Sequence, residues 1–78
     1  MGNTYKTSIL LDGINKVEDF VEMSNNMSCD VDISQDYKRT VDGKSIMGIL
    51  SLDLSKTVNV ILLNPTEKDK TLLESFAN

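Results

Sequence analysis

The 78-residue sequence contains no histidine and no tryptophan, one cysteine and one proline. Without histidine, no side chain has an ordinary pKa between pH 5 and 8, which excludes histidine-dependent catalytic triads and histidine-liganded zinc. The single cysteine, Cys29, cannot form an internal disulfide, so a hydrophobic core must hold the fold without one. This cysteine usage predicts a reducing, cytoplasmic location. The composition therefore points to a protein that is not an enzyme.

Long apolar segments and accumulated positive charge are also missing. The longest apolar run, Val58 to Leu63, is interrupted by Asn59 and is far shorter than the ~20 residues that a membrane helix needs. The sequence contains no basic segment followed by an apolar stretch, so we expect no secretory signal. The 8 basic and 12 acidic residues give a net charge of −4, which disfavours binding to a phosphate backbone. We therefore expect no membrane and no nucleic-acid partner.

Alternation of apolar and polar residues predicts four strands. The first runs from Thr4 to Leu11 and ends at the turn Asp12-Gly13. The second carries Cys29, Val31 and Ile33 on one side and ends in a turn at Gln35-Asp36, and a short return strand contains Tyr37, Arg39 and Val41. The fourth, from Thr57 to Leu63, is rich in β-branched residues.

The spacing of apolar residues changes at Ile14 and predicts a helix. Its core stripe is Ile14, Val17, Phe20, Val21, Ser24 and Met27. Asn15, with Glu18 three residues later, fits an N-cap and capping box. The helix is expected to end near Asn25-Asn26.

Two further helices are predicted in the second half of the chain. Ser45 can cap a short helix that is apolar on almost every side, so part of its surface should be exposed and available to a partner. Asn64-Pro65, with Glu67, fits the start of a third helix. Its predicted core residues are Leu72, Leu73 and Phe76.

The predicted order is strand, helix, strand, strand, helix, strand, helix. With four strands in mixed order, this predicts an α+β fold in two layers, a sheet with helices on one face. The length predicts one domain that spans residues 1–78.

The four alternating polar residues Asp30, Asp32, Ser34 and Asp36 imitate the opening of a calcium-binding loop. Gln35 stands where such a loop needs glycine, and Val41 stands where it needs a bidentate glutamate. We interpret the segment as the solvated face of a strand and predict no metal or cofactor site. Cys29, on the opposite face, is interpreted as a small core residue rather than a reactive thiol.

The segment from Lys44 to Leu52 resembles the regulatory-serine segment of HPr, the phosphocarrier of the bacterial sugar phosphotransferase system. Asp12-Gly13-Ile14 after the first strand, Thr40-Val41 before the serine segment, and the strand from Val58 to Leu63 extend the resemblance over most of the chain. It implies an open-faced β-sandwich, in which a four-stranded antiparallel sheet carries three helices on one face.

The resemblance fails at the phosphate-carrying residues. In HPr a histidine follows the Gly-Ile/Leu pair, with arginine two residues on and then proline; here these places hold Asn15, Val17 and Glu18. An amide nitrogen lacks an available lone pair, Val17 offers no guanidinium, and Glu18 would repel a phosphate bound in the first turn. The resemblance therefore implies a degenerate active site with no phosphotransfer.

Ser45 matches the serine of the regulatory-serine segment of HPr. In the HPr family this serine is phosphorylated by an ATP-dependent HPr kinase, although a plain N-cap would explain Ser45 equally well. Ile46, Met47 and Leu50 are similar to the apolar helix face with which HPr proteins contact their partners. The alternative for these three is core packing, and we expect at least one of them to be buried.

Three functional hypotheses follow. The first is a histidine-less regulatory or adaptor protein, as in an HPr-like subgroup that is phosphorylated only on the serine and then assists a transcriptional repressor. Its partners would be an HPr kinase, a transcriptional regulator or phosphotransferase-system components. The second is a phosphocarrier of the sugar phosphotransferase system that uses another residue. The third is an interaction module with no phosphate chemistry.

Overall fold

Four strands and three helices follow one another in the predicted order βαββαβα. The structure is a computed structural model that describes residues 3–36 and 39–77. The strands are β1 (Thr4–Ile9), β2 (Asp30–Gln35), β3 (Arg39–Asp42) and β4 (Val58–Leu63). The helices are α1 (Ile14–Asn25), α2 (Ile46–Leu50) and α3 (Glu67–Ala77).

The strands form one antiparallel sheet in the order β1-β4-β2-β3. The apolar strand β4 is central, and its Leu62 lies opposite Tyr5 of β1 and Val31 of β2. Alternating residues of β2 and β4 are buried because one face of the sheet packs against the helices. This arrangement confirms the predicted α+β fold with a four-stranded antiparallel sheet and three helices.

The core fills the space between the sheet and the helices. Phe20 of α1 is fully buried and meets Phe76 of α3 edge to face, with ring centroids 5.5 Å apart. The buried apolar residues are Ile9, Leu11, Val17, Phe20, Met27, Cys29, Val31, Ile33, Ile49, Leu52, Val58, Val60, Leu62 and Leu73. Within the described ranges, no helix combines the length and apolar character that crossing a bilayer requires.

The start of α1 differs from the prediction. Its N-cap is Gly13, at φ 139°, and no side chain caps the helix, so the predicted capping box of Asn15 and Glu18 is wrong. The Gly13 N–H bonds the Leu11 carbonyl at 3.1 Å, which turns the chain into the helix before Asn15 is reached. Ile14, predicted in the core, is 51% exposed because the buried stripe begins one turn later at Val17. β1 ends at Ile9 rather than at the predicted Leu11, although Leu11 is buried.

The predicted start of α3 at Asn64-Pro65 is also wrong. Asn64 has a φ of 53°, and its side-chain Oδ1 accepts the Asn3 N–H at 2.8 Å, so it is tied to the sheet and cannot cap the helix. Thr66 and Asp69 form the capping box instead. The Asp69 N–H donates to Thr66 Oγ1 at 3.1 Å, and the Thr66 N–H donates to Asp69 Oδ2 at 3.0 Å.

The turn predicted at Gln35-Asp36 starts one residue later. Gln35 is the buried last residue of β2, and its amide exchanges two hydrogen bonds with the Asp53 backbone, at 2.8 and 2.9 Å. Asp36 then reverses the chain at φ 59°. Tyr37, predicted in the return strand, and Lys38 lie outside the described residues.

Candidate protein-binding site

Ser45 lies at the end of a tightly held loop that follows β3. The Gly43 N–H donates to the Val31 carbonyl at 2.7 Å, and the Lys44 N–H donates to Asp42 Oδ1 at 2.9 Å. Gly43 is required here because a Cβ at this position would lie 2.5 Å from Val31 Cγ1. The loop therefore holds Ser45 firmly against the sheet.

The half-buried Ser45 is the N-cap of α2. Its backbone is extended, at φ −113° and ψ 113°, and its Oγ accepts the Gly48 N–H at 3.3 Å. The cap prediction is confirmed. The serine hydroxyl thus lies where the chain enters the helix.

The apolar residues of α2 divide between the core and the surface. Ile49 is fully buried, whereas Met47 is 75% and Leu50 is 43% exposed. Ile46 is half-buried and packs against the core. The expectation that at least one of Ile46, Met47 and Leu50 is buried is therefore met only in part, by Ile46. The predicted exposure of apolar residues on this helix is confirmed.

Neighbouring elements fix α2 at both ends. Arg39 of β3 donates from its guanidinium to the Ser51 carbonyl at 2.7 Å, which places a cation at the helix C-terminus. Lys44 Nζ donates to the Met27 carbonyl at 3.4 Å, beyond the end of α1. Gly48 brings the helix backbone close to β3, since a Cβ there would lie 3.2 Å from Val41 Cβ. Met47 and Leu50 are therefore presented from a well-anchored turn of helix.

The predicted degenerate active-site residues lie on α1, which contacts α2. Asn15 and Glu18 are exposed, whereas Val17 is fully buried in the core. The interpretation of Glu18 as a first-turn carboxylate is wrong, because α1 begins at Ile14 and its first turn holds no acidic residue. Asn15 is thus the member of the three that occupies the surface of that first turn.

The two contacting helices carry exposed apolar side chains. We call their outward surface the α1–α2 face and define it by Ile14, Asn15, Glu18, Met47 and Leu50. Three of these, Ile14, Met47 and Leu50, are among the four large apolar side chains that stand exposed in the described part of the chain. A contiguous exposed apolar patch often marks a surface that binds another protein, which makes this face the candidate site.

The fold also shows where the candidate thiol and the calcium-loop-like residues lie. Cys29 is 6% exposed, as expected of a core residue, and burial, followed by the nearby Asp69 carboxylate, raises the pKa of its thiol. Asp30, Asp32 and Ser34 follow the solvent side of β2, as predicted. Among residues 3–36 and 39–77, no three acidic or cysteine side chains are grouped closely enough to hold a metal ion.

Sequence reasoning missed the buried carboxylate of Asp69, which is 2% exposed. Burial by itself would raise its pKa, but hydrogen bonds from Thr66 and Ser28 outweigh that effect and lower the pKa from the ordinary 3.8 to about 2. The signal was present, since Thr66-Glu67-Lys68-Asp69 has the spacing of a capping box.

Comparison with known proteins shows the family and the fold of the chain. The family model described as "PTS HPr component phosphorylation site" matches residues 15–78. The chain belongs to the HPr family. It is 38% identical over 58 residues to the HPr-like protein Crh of Bacillus subtilis (strain 168), a match that covers 74% of this chain and 67% of that protein.

The HPr fold is seen directly in a solved relative. The crystal structure of the phosphocarrier protein HPr from Bacillus anthracis str. Ames superimposes with a TM-score of 0.70 and covers 95% of this chain and 93% of that one. The identity in this alignment is 23%, so the similarity establishes the shared fold. The family expectation drawn from the sequence is confirmed.

Proposed function

We propose that this protein is a regulatory or adaptor member of the HPr family that does not carry phosphate on a histidine. It binds partner proteins through the α1–α2 face, and phosphorylation of Ser45 controls that binding. The proposal depends on a contrast between α1 and α2, the two helices of this face. The chain contains no histidine, whereas α2 keeps a capping serine beside an apolar residue, Met47, that is 75% exposed.

Asn15 is proposed to stand where HPr has its phosphate-carrying histidine. Its side chain is exposed on the first turn of α1, where a phosphoryl donor could reach it. The amide nitrogen is nevertheless a poor nucleophile, because its lone pair is delocalised into the carbonyl. Val17 is buried and presents nothing to a phosphate. Both features support a protein that is not a catalyst or carrier at this position.

Ser45 is the proposed site of modification. Its Oγ accepts the Gly48 N–H, which leaves the hydroxyl proton available for transfer. A kinase would move the γ-phosphoryl group of ATP to Oγ, and ADP and the hydroxyl proton would leave. The product adds about −1.5 to −2 charges next to Met47 and so changes the apolar face into a partly anionic one. Lys44, which directly precedes Ser45, supplies a positive charge beside the proposed phosphorylation site.

The proposed setting is the bacterial cytoplasm, with an HPr kinase, a transcriptional regulator or phosphotransferase-system components as partners. The similarity to a relative named HPr-like, rather than HPr, supports the regulatory interpretation.

The direct test is incubation with an HPr kinase and ATP, followed by intact-mass measurement. We expect one added phosphoryl group on the native chain and on the Ser51→Ala control, and none on Ser45→Ala. Ser51 is a suitable control because its hydroxyl is exposed at the other end of α2 and donates to the Gly48 carbonyl at 2.6 Å. Equal labelling of all three proteins, or of none, would contradict the assignment to Ser45.

A phosphocarrier is the second candidate, favoured by the description of the matching family model as a phosphorylation site. Incubation with phosphoenolpyruvate and enzyme I distinguishes it, because a carrier would gain an acid-labile phosphoryl group. We expect none. The third candidate, an interaction module without phosphate chemistry, requires that Ser45→Asp leave every partner affinity unchanged.

A further inference from the structure

The outer side of α1 carries an uncompensated row of negative charge. Glu18, Asp19 and Glu22 are all exposed, and we call them the acidic row. Among the described residues, no basic group lies within 4.0 Å of any of the three. Lys16, the one basic residue of the helix, is paired with Asp12 at 3.9 Å. The acidic row therefore presents three carboxylates to solvent.

The acidic row lies on α1, the helix that contributes Ile14 to the α1–α2 face and contacts α2. Ile14, Glu18 and Glu22 are spaced four residues apart, so they follow one another along the same side of the helix. The neighbouring helix α2 has no charged residue between Ile46 and Leu50. The basic residues at its ends, Lys44 and Arg39, are bonded to the Met27 and Ser51 carbonyls.

We propose that the partner covering this face is a protein segment that carries apolar side chains beside lysine or arginine. The apolar side chains would cover Met47 and Leu50, and the cationic ones would lie opposite the acidic row. The inference rests on the proposed function, because it assigns a partner chemistry to the same face. A surface that combines an apolar anchor with charge of one sign selects the opposite sign in its partner and repels anionic membranes and nucleic acids.

The test uses two fluorescent amphipathic peptides of equal length, one of leucine and lysine and one of leucine and glutamate, in anisotropy titrations of the full chain at low and high salt. Three variants are compared with the native protein. E18Q/D19N/E22Q neutralises the acidic row, and D30N/D32N/D36N removes the same number of charges along and just after β2, away from the helices. Met47→Asn removes the apolar anchor without adding charge, and the 75% exposure of Met47 makes the change compatible with folding.

We expect the lysine peptide to bind and the glutamate peptide not to bind. Neutralising the acidic row should weaken binding about fivefold at low salt, and less at high salt, because exposed charge pairs are individually weak and are screened by salt. The β2 variant should change affinity less than twofold. Equal weakening by both triple variants would show a response to net charge and overturn the proposal, as would tighter binding of the glutamate peptide.

The Met47→Asn variant separates this inference from the proposed function. Weaker binding for Met47→Asn with no effect of neutralising the acidic row would overturn the charge preference and leave the docking face in place. Weakening by the acidic-row variant alone would support the basic partner and contradict docking through α2. No change in either variant would overturn both. Amide chemical shifts of the labelled protein should change on α1 and α2 when the peptide binds, and changes confined to other elements would overturn the placement.

Discussion

The carboxylate of Asp69 receives two hydrogen bonds from Ser28, which lies 41 positions earlier in the chain. The Ser28 N–H donates to Oδ1 at 3.2 Å, and the Ser28 hydroxyl donates to Oδ2 at 3.0 Å. The Thr66 N–H donates to the same Oδ2 at 3.0 Å. One buried side chain thus caps α3 and ties it to the loop before β2.

Replacement of Asp69 by asparagine should destabilise the protein by about 1–3 kcal/mol, because it substitutes an NH₂ donor for an oxygen that accepts and leaves part-buried donors without their acceptor. Urea unfolding followed by circular dichroism measures the difference. Asp19→Asn is the matched control, since Asp19 is exposed on α1, and it should change stability by less than about 0.5 kcal/mol. Similar stability of the two variants would show that the Asp69 network contributes little.

The lowered pKa of Asp69 also predicts part of the response to acid. The pKa is about 2 in the folded protein, below its ordinary value of 3.8, so the folded state favours the charged carboxylate. This contribution is fully present above about pH 4 and is lost as the pH falls toward 2. The stability gap between native protein and Asp69→Asn should therefore narrow over that window. A gap that stays constant from pH 6 to pH 2 would contradict the assigned pKa.

Substitution of Gly43 by alanine should destabilise the protein by about 1–3 kcal/mol through overpacking against Val31. The added Cβ would meet Val31 Cγ1 at 2.5 Å, and the Gly43 N–H is held on the Val31 carbonyl. Because Val31→Ala removes the opposing methyl groups, the double variant should be more stable than the sum of the single effects. Denaturant unfolding of all four proteins gives the coupling energy, and strict additivity would exclude the clash.

The elements that were predicted correctly are those in which local pattern and tertiary packing agree. The alternation in β2 and β4 and the stripe that starts at Val17 each place apolar residues on one side, and that side became the core. Ser45 was identified as a cap because its helix begins where the local sequence favours it. The position of these elements therefore follows from neighbouring residues.

The incorrect predictions concern residues whose role is decided by distant parts of the chain. Asparagine favours N-cap positions, but the side-chain Oδ1 of Asn64 accepts a hydrogen bond from the Asn3 N–H instead. Gln35 stands in a segment with the local pattern of a turn. Its amide is instead held by two hydrogen bonds to the backbone of Asp53, and Gln35 remains in β2. The exposure of Ile14 depends on where the buried stripe meets the sheet, and this cannot be determined from helical spacing alone. The sequence therefore predicted the exposed apolar residues of α2 in the candidate site, but not the exposed Ile14 of α1.

Met47 should be the methionine most sensitive to oxidation among those the structure describes. It is 75% exposed, whereas Met27 is 5% exposed and Met23 is half-buried. Hydrogen peroxide transfers one oxygen atom to the thioether sulfur and leaves water, and the resulting sulfoxide is polar. Peptide mapping by mass spectrometry should show Met47 oxidised severalfold faster than Met27.

Because Met47 projects from α2 into solvent, its oxidation should leave the melting temperature unchanged but weaken binding of any partner that covers the α1–α2 face. Met47→Leu keeps the apolar surface and lacks the thioether, so it should bind normally and resist inactivation by peroxide. A fall in melting temperature that accompanies Met47 oxidation would show that the side chain supports the fold. Peroxide inactivation of Met47→Leu would place the sensitive group elsewhere.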